Sequence, residues 1–125
     1  MGHKIKTSDY LNTLSNKIPA RKCVIKEIYK HEAKTFLDKH HIQGFSSATI
    51  YLGAFYENNL IAVMSFKNGN LKNKCWDLNR FASNINFICQ GIGGKLFKYF
   101  IKLIAVLICL IFLSIILNLL LFILL

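Results

Sequence analysis

The stretch Gln90-Gly91-Ile92-Gly93-Gly94-Lys95 places three glycines within four residues at the entry to a helical pattern. Glycine lets a backbone approach another group closely, and the first turn of a helix leaves amide N–H groups unpaired, so such an entry can hold an anion. The pattern is neither GxxxxGK[ST] nor GxGxxG, and a flexible turn packing a helix onto a sheet accounts for the same glycines. Asp38, His40 and His41 form a second group, with metal-binding or acid–base chemistry open to it. Adjacent positions on a helix diverge by about 100°, which turns the two histidines away from a common ion and favours a role at the helix end. Asp77, Asn79 and Arg80 share one predicted strand, the first two on one face and Arg80 on the other. Exposed positions on a half-buried strand explain these three equally well. No Ser/His/Asp or Cys/His set follows from the spacings, and no metal site is expected.

Charge points to a polyanion. The 125 residues hold 16 Lys or Arg against 6 Asp or Glu, a net +10, yet 54% of them are hydrophobic. The two figures belong to different parts of the chain, because no charged residue follows Lys102. Lys4, Lys6, Lys17, Arg21, Lys22, Lys26, Lys30, Lys34 and Lys39 crowd the N-terminal part, with Lys67, Lys72, Lys74 and Arg80 further on. Arg21, Lys22, Lys26 and Arg80 are the candidates for sequence-independent contact with nucleic acid. An anionic membrane leaflet would answer the same charge, and no helix-turn-helix or zinc-finger pattern decides between them. Cys23, Cys75, Cys89 and Cys109 form no CxxC pair, and the N-terminus has no apolar signal region, so reduced thiols are expected. Met1-Gly2 is followed by Lys6 where a myristoylation pattern needs Ser or Thr.

The length fits one small domain with an appendage and excludes a two-domain enzyme. Residues 1–19 are a polar segment, with Ser8-Asp9 placed to cap a short helix over 10–16. Residues 20–28 mix polar and apolar types at short period, as a half-buried strand does. Ala33, Phe36, Leu37 and His40 follow at i, i+3, i+4, i+7, the stripe of an amphipathic helix that Gly44 stops. Strand-like runs over 48–56 and 60–66 are joined by Glu57-Asn58-Asn59, and a third run covers 75–82. The Gly-rich turn then leads into a further helix. An α+β fold is expected, an antiparallel meander with helices.

Residues 103–125 are apolar except for Ser114 and Asn118. As a helix they reach about 34 Å, enough to cross a hydrocarbon core of about 30 Å. Lys95, Lys98 and Lys102 flank the N-terminal side, which places residues 1–102 in the cytoplasm and makes the tail a single-pass anchor. A chain without the anchor would be cytoplasmic.

The blocks NKIPARKCVIKEI, FLDKHHIQG, YLGAFYENNLIAVMSF, WDLNRFASNIN and GGKLFKYFIK, in this order from Asn16 to Lys102, resemble the C-terminal, non-nuclease region of phage-type homing endonucleases of the very-short-patch-repair kind. The same region is similar to the GNAT acyltransferase fold, also seen in Mom-type DNA-modification proteins. That resemblance implies a loop [QR]xxGx[GA] whose amides hold the pyrophosphate of acetyl-CoA or another acyl-CoA. Anchored on the following helix, the loop is Ile88-Cys89-Gln90-Gly91-Ile92-Gly93, with Ile88 in the Gln/Arg position. Anchored on Gln90, it is Gln90-Gly91-Ile92-Gly93-Gly94-Lys95, with Lys95 in the last small position.

The nuclease part, which carries the acidic metal ligands, has no counterpart in the chain. Beyond Lys102 the fold requires another strand, and the apolar tail stands in its place. The tail is then a true anchor, the product of a shifted reading frame after a once-complete domain, or a run whose start substitutes for the strand. The resemblance implies a truncated GNAT-like domain over 20–102 with an accessory, DNA-associated role and no catalysis in this form. The alternative is a small membrane-anchored protein with a basic cytoplasmic head.

Overall fold

The computed structural model describes residues 17–69 and 75–125. The helix expected over 10–16 and the turn residues 70–74 lie outside the described residues. After Pro19 a single 3-10 turn covers Ala20–Lys22, so the strand expected from residue 20 begins only at Val24. The elements are then β1 (Val24–Glu27), α1 (Lys30–His40), β2 (Ile50–Tyr56), β3 (Asn59–Asn68), β4 (Trp76–Ser83) and α2 (Ile92–Leu124). The four strands form one antiparallel sheet in the order β1-β2-β3-β4. The α+β class and the meander are as the sequence predicts.

Neighbouring residues in a strand face opposite sides of the sheet, and here both sides are covered. Tyr51, Val63 and Ala82 pack with Ala33, Phe36 and Leu37 of α1. Leu52, Ala54, Met64 and Phe66 pack with Ile92, Leu96 and Phe100 of α2. This double cover is why Ile61 to Phe66 are buried without a break and why β2 and β3 read as apolar runs with little alternation. The β2–β3 turn is tighter than the three-residue loop expected. Asn59 already pairs with Tyr56, and Glu57 and Asn58 both take positive φ, 49° and 68°. Positive φ at both central residues is the geometry whose twist matches that of the flanking strands.

The reading in which the start of the tail replaces a missing strand is overturned. Residues 92–124 form one unbroken helix, and among the described residues no strand pairs with the outer edge of β4. The run after Lys102 contains no Gly or Pro to end a helix, so the turns begun at Ile92 continue through it.

Phe66 and Phe100 stack at 3.6 Å between ring centroids and 4° between planes, joining the sheet to α2. Next to Phe66 along β3, the buried Ser65 Oγ has no hydrogen-bond partner among the described residues. The two neighbours therefore respond oppositely to truncation. Phe66→Ala lowers stability by about 3–5 kcal/mol, as emptying an aromatic core site does. Ser65→Ala raises it by about 1 kcal/mol, because it removes an unpaired buried hydroxyl. Denaturant unfolding of both variants in detergent micelles checks the pair.

Candidate functional site

The Gly-rich entry to α2 is built as the sequence suggests, with a separate reason for two of its glycines. Gly91 is the N-cap at φ 82°, a left-handed conformation that glycine takes without strain. Gly93 lies against Phe81, whose Cζ would be 3.3 Å from an added Cβ. At Gly94 an added Cβ would meet nothing within 4 Å. The Ile92 amide is turned back to the Cys89 carbonyl at 3.4 Å. The Gly93 and Gly94 amides fall in the first helical turn, where no intrahelical carbonyl is available. Gln90 is exposed and lines a depression of about 370 Å³ with Lys17, Ile18 and Pro19.

Lys95, the last residue of that motif, is committed elsewhere. Its Nζ donates to the carbonyls of Cys23 at 2.6 Å, Ala20 at 2.9 Å and Arg21 at 3.5 Å. The ammonium thus caps the 3-10 turn and ties it to α2. A bond from Ile18 N to Ile88 O at 2.7 Å fastens the same two segments one step earlier in the chain. Behind them Cys23 and Cys89 lie with their sulfurs 3.7 Å apart, both as free thiols. Burial, and then the hydrogen bond with Cys23, push the Cys89 thiol up to about 11.

Of the four basic candidates, Arg21 and Lys22 are exposed on the 3-10 turn beside the start of α2. Lys26 lies 4.4 Å over the ring of Phe55. Arg80 donates from Nε to the Gly44 carbonyl at 3.4 Å and from Nη1 to the Asn79 carbonyl at 3.0 Å. Asn79 Nδ2 reaches the Ser46 and Ser47 carbonyls at 3.3 and 3.4 Å, so Asn79 and Arg80 serve the same loop. The expectation that they face apart fails because the register shifts between Ser65 and Phe66, where Ser65 pairs with Arg80 and Phe66 with Leu78. The bulge leaves Asn79 as the extra residue.

Asp38 holds that loop from its other side, its Oδ1 accepting from Phe45 N at 2.9 Å. His41 Nδ1 accepts from Gln43 N at 3.0 Å, and the His41 amide closes α1 on the Leu37 carbonyl at 2.8 Å. His40 packs on Phe36 with ring centroids 4.5 Å apart. Burial, and then the neighbouring Lys39 charge, hold its imidazole below the usual histidine value. Two shallow cavities of about 440 and 310 Å³ meet at His40, and Ile42 lines the smaller. Among the described residues no group of three or more His, Cys, Asp or Glu is arranged to hold a metal ion.

The feature that sequence reasoning missed lies on the other side of the sheet. Trp76 and Leu78 of β4 face Phe97, Ile101, Ala105 and Ile108 of α2 across an apolar cavity of about 410 Å³. Its signal in the sequence is the single Trp placed in an otherwise polar region of a chain with an apolar tail. Tryptophan concentrates where membrane and water meet. Comparison with known proteins finds no matching family model, no matching curated protein and no matching solved structure.

Two outcomes follow from this geometry. Lys95→Met removes a charged donor from three carbonyls and lowers stability by about 1.5–3 kcal/mol in denaturant unfolding. The second concerns Cys89, whose thiol titrates higher folded than unfolded. The unfolded chain then loses its proton first, and stability falls as pH rises from 9 to about 11. In the folded protein iodoacetamide labels Cys89 only as pH approaches that upper value, which mass spectrometry reads against the exposed Cys75.

Proposed function

We propose that the chain is a single-pass membrane protein whose basic α+β head rests on the anionic cytoplasmic leaflet. One observation carries this reading: from Ala105 to the end of α2 every side chain is exposed, and nearly all are apolar. A surface of that size cannot be kept in water by a small monomeric domain. From Leu103 to Leu124 the helix runs about 33 Å, the length needed to cross a bilayer core of about 30 Å.

The charges support the orientation. Lys95, Lys98 and Lys102 recur at i, i+3 and i+7 on one side of α2, and nothing charged follows them. Lys95 draws the 3-10 turn against the helix about 12 Å before the apolar run begins, which brings Arg21 and Lys22 close to the leaflet. Cations at such a surface each contribute about 1 kcal/mol of attraction to anionic lipid within a Debye length. The DNA-associated role implied by the family resemblance is the second reading, favoured by the exposure of the same Arg21 and Lys22. It gains the lead if duplex DNA displaces the head from anionic vesicles.

Expressed whole, the chain stays with membranes through high-salt and alkaline washes and leaves only in detergent. Leu113→Arg with Leu117→Arg, near the middle of the span, adds about 5–7 kcal/mol to insertion and moves the protein to the wash. Wild-type protein recovered wholly in the soluble fraction would end the reading.

A further inference from the structure

We propose that the groove between β4 and α2 holds one acyl chain of an anionic phospholipid, with Lys98 and Lys102 meeting its headgroup. The inference rests on the membrane reading above and adds a ligand to it. The groove has a built floor, the stacked Phe66 and Phe100, with Trp76 set edge-on to Phe100 at 5.5 Å. Leu78 forms one wall from β4, while Phe97, Ile101 and Ala105 form the other from α2. Every lining residue is apolar, and the volume of about 410 Å³ is that of a small ligand site. Water finds no partners in such a space, and an empty one forfeits the dispersion contacts of its walls.

The occupant follows from where the groove leads. Its α2 wall continues through Ile104, Ala105 and Ile108 into the membrane-crossing run, so one end opens at the depth of the acyl chains. Lys98 and Lys102 are exposed, one turn apart, and flank the groove beside the row formed by Ile101 and Ala105. An apolar channel flanked by cations fits an anionic lipid: chain in the groove, phosphate at the lysines. A second copy of α2 would fill the apolar part but would bring its own Lys98 and Lys102 against this pair.

Trp76 is the only tryptophan in the chain, so its fluorescence reports on the groove alone. The full chain is reconstituted in phosphatidylcholine vesicles containing a minor fraction of lipid brominated on its acyl chains, as either phosphatidylglycerol or phosphatidylcholine. The expected result is severalfold stronger quenching by brominated phosphatidylglycerol than by brominated phosphatidylcholine at equal fraction. The exposed double variant Lys98→Gln/Lys102→Gln brings the first down to the second, and Ala105→Phe, which fills the groove, lowers both. Flotation with vesicles, measured on the same samples, remains unchanged in all variants. Equal quenching by the two lipids that no variant alters would overturn the proposal, since Trp76 would then merely lie at bilayer depth. Absence of quenching in a chain that floats and cross-links as a dimer would give the groove to a second copy. Failure to float would instead remove the membrane reading itself.

Discussion

Phe100 stacks on Phe66 little more than half a turn before Lys102, the last charge in the chain. That contact joins two surfaces with incompatible solvent needs. Upstream of it, Ile92 and Leu96 bury themselves against Leu52, Ala54 and Met64. Downstream, the same helix offers exposed apolar side chains on every side, with nothing among the described residues to cover them. Because α2 is continuous, the sheet face and the apolar run share one rigid rod, and the head cannot turn independently of whatever solvates the tail. Lys95 adds a second attachment nearer the N-terminus of the rod, through the carbonyls of the 3-10 turn. The first three turns of α2 are thereby fixed to the head by an apolar stack and a charged cap.

The polar groups most suggestive of chemistry are largely occupied in holding backbone. Asp38, Asn79 and Arg80 converge on the loop 44–47, Lys95 caps a turn, and the His41 imidazole accepts from the Gln43 amide just after α1. A buried backbone needs its amides and carbonyls satisfied wherever strands and helices stop, and a small domain has few side chains to do it with. This is why the loop after α1, which takes left-handed φ at Gly44, draws in three polar side chains. It also separates appearance from capacity at the Gly-rich entry. Two of the three glycines there have packing or conformational reasons to be glycine, and the adjacent ammonium is spent on the protein's own carbonyls.

Periodicity in the sequence carries the sheet and α1, because strand and helix repeats are local properties of the chain. The stripe Ala33, Phe36, Leu37 is buried as its spacing implies, and the three meander strands appear within about two residues of their apolar runs. What was not legible depends on pairing. The Asn79 bulge arises from the β3–β4 register, so simple alternation put Arg80 on the wrong side. The 3-10 turn at Ala20–Lys22 owes its capped form to Lys95, 75 residues away from Ala20 in sequence. The meeting of Cys23 and Cys89 has the same origin, since no spacing rule foretells a contact made by packing α2 onto the sheet. The groove was hidden for a further reason: it is shared between two strands and a helix, and its helix residues straddle Lys102, with Phe97, Phe100 and Ile101 before it and Ile104, Ala105 and Ile108 within the apolar run.

On the membrane reading proposed above, that overlap sets where a bilayer surface would fall on the molecule. The apolar run of about 33 Å exceeds a typical core by only a few ångströms, which leaves little room to slide. Trp76 packs on Phe100 and lines the same groove as Ile104 and Ile108, so it lies at the level where the span begins. Lys98 and Lys102 sit just before that level, and exposed Leu78 and Phe97 beside it. Cations on the water side with an aromatic ring at the boundary are the arrangement that holds a helix at a set depth. Here the aromatic ring comes from β4 and the cations from α2, so in the proposed membrane the depth would be set by the folded head and not by the helix alone. On the same reading, a head that lost the Phe66–Phe100 stack would keep the apolar helix but lose its fixed position against it, and with that the alignment of the basic 3-10 turn toward the proposed leaflet.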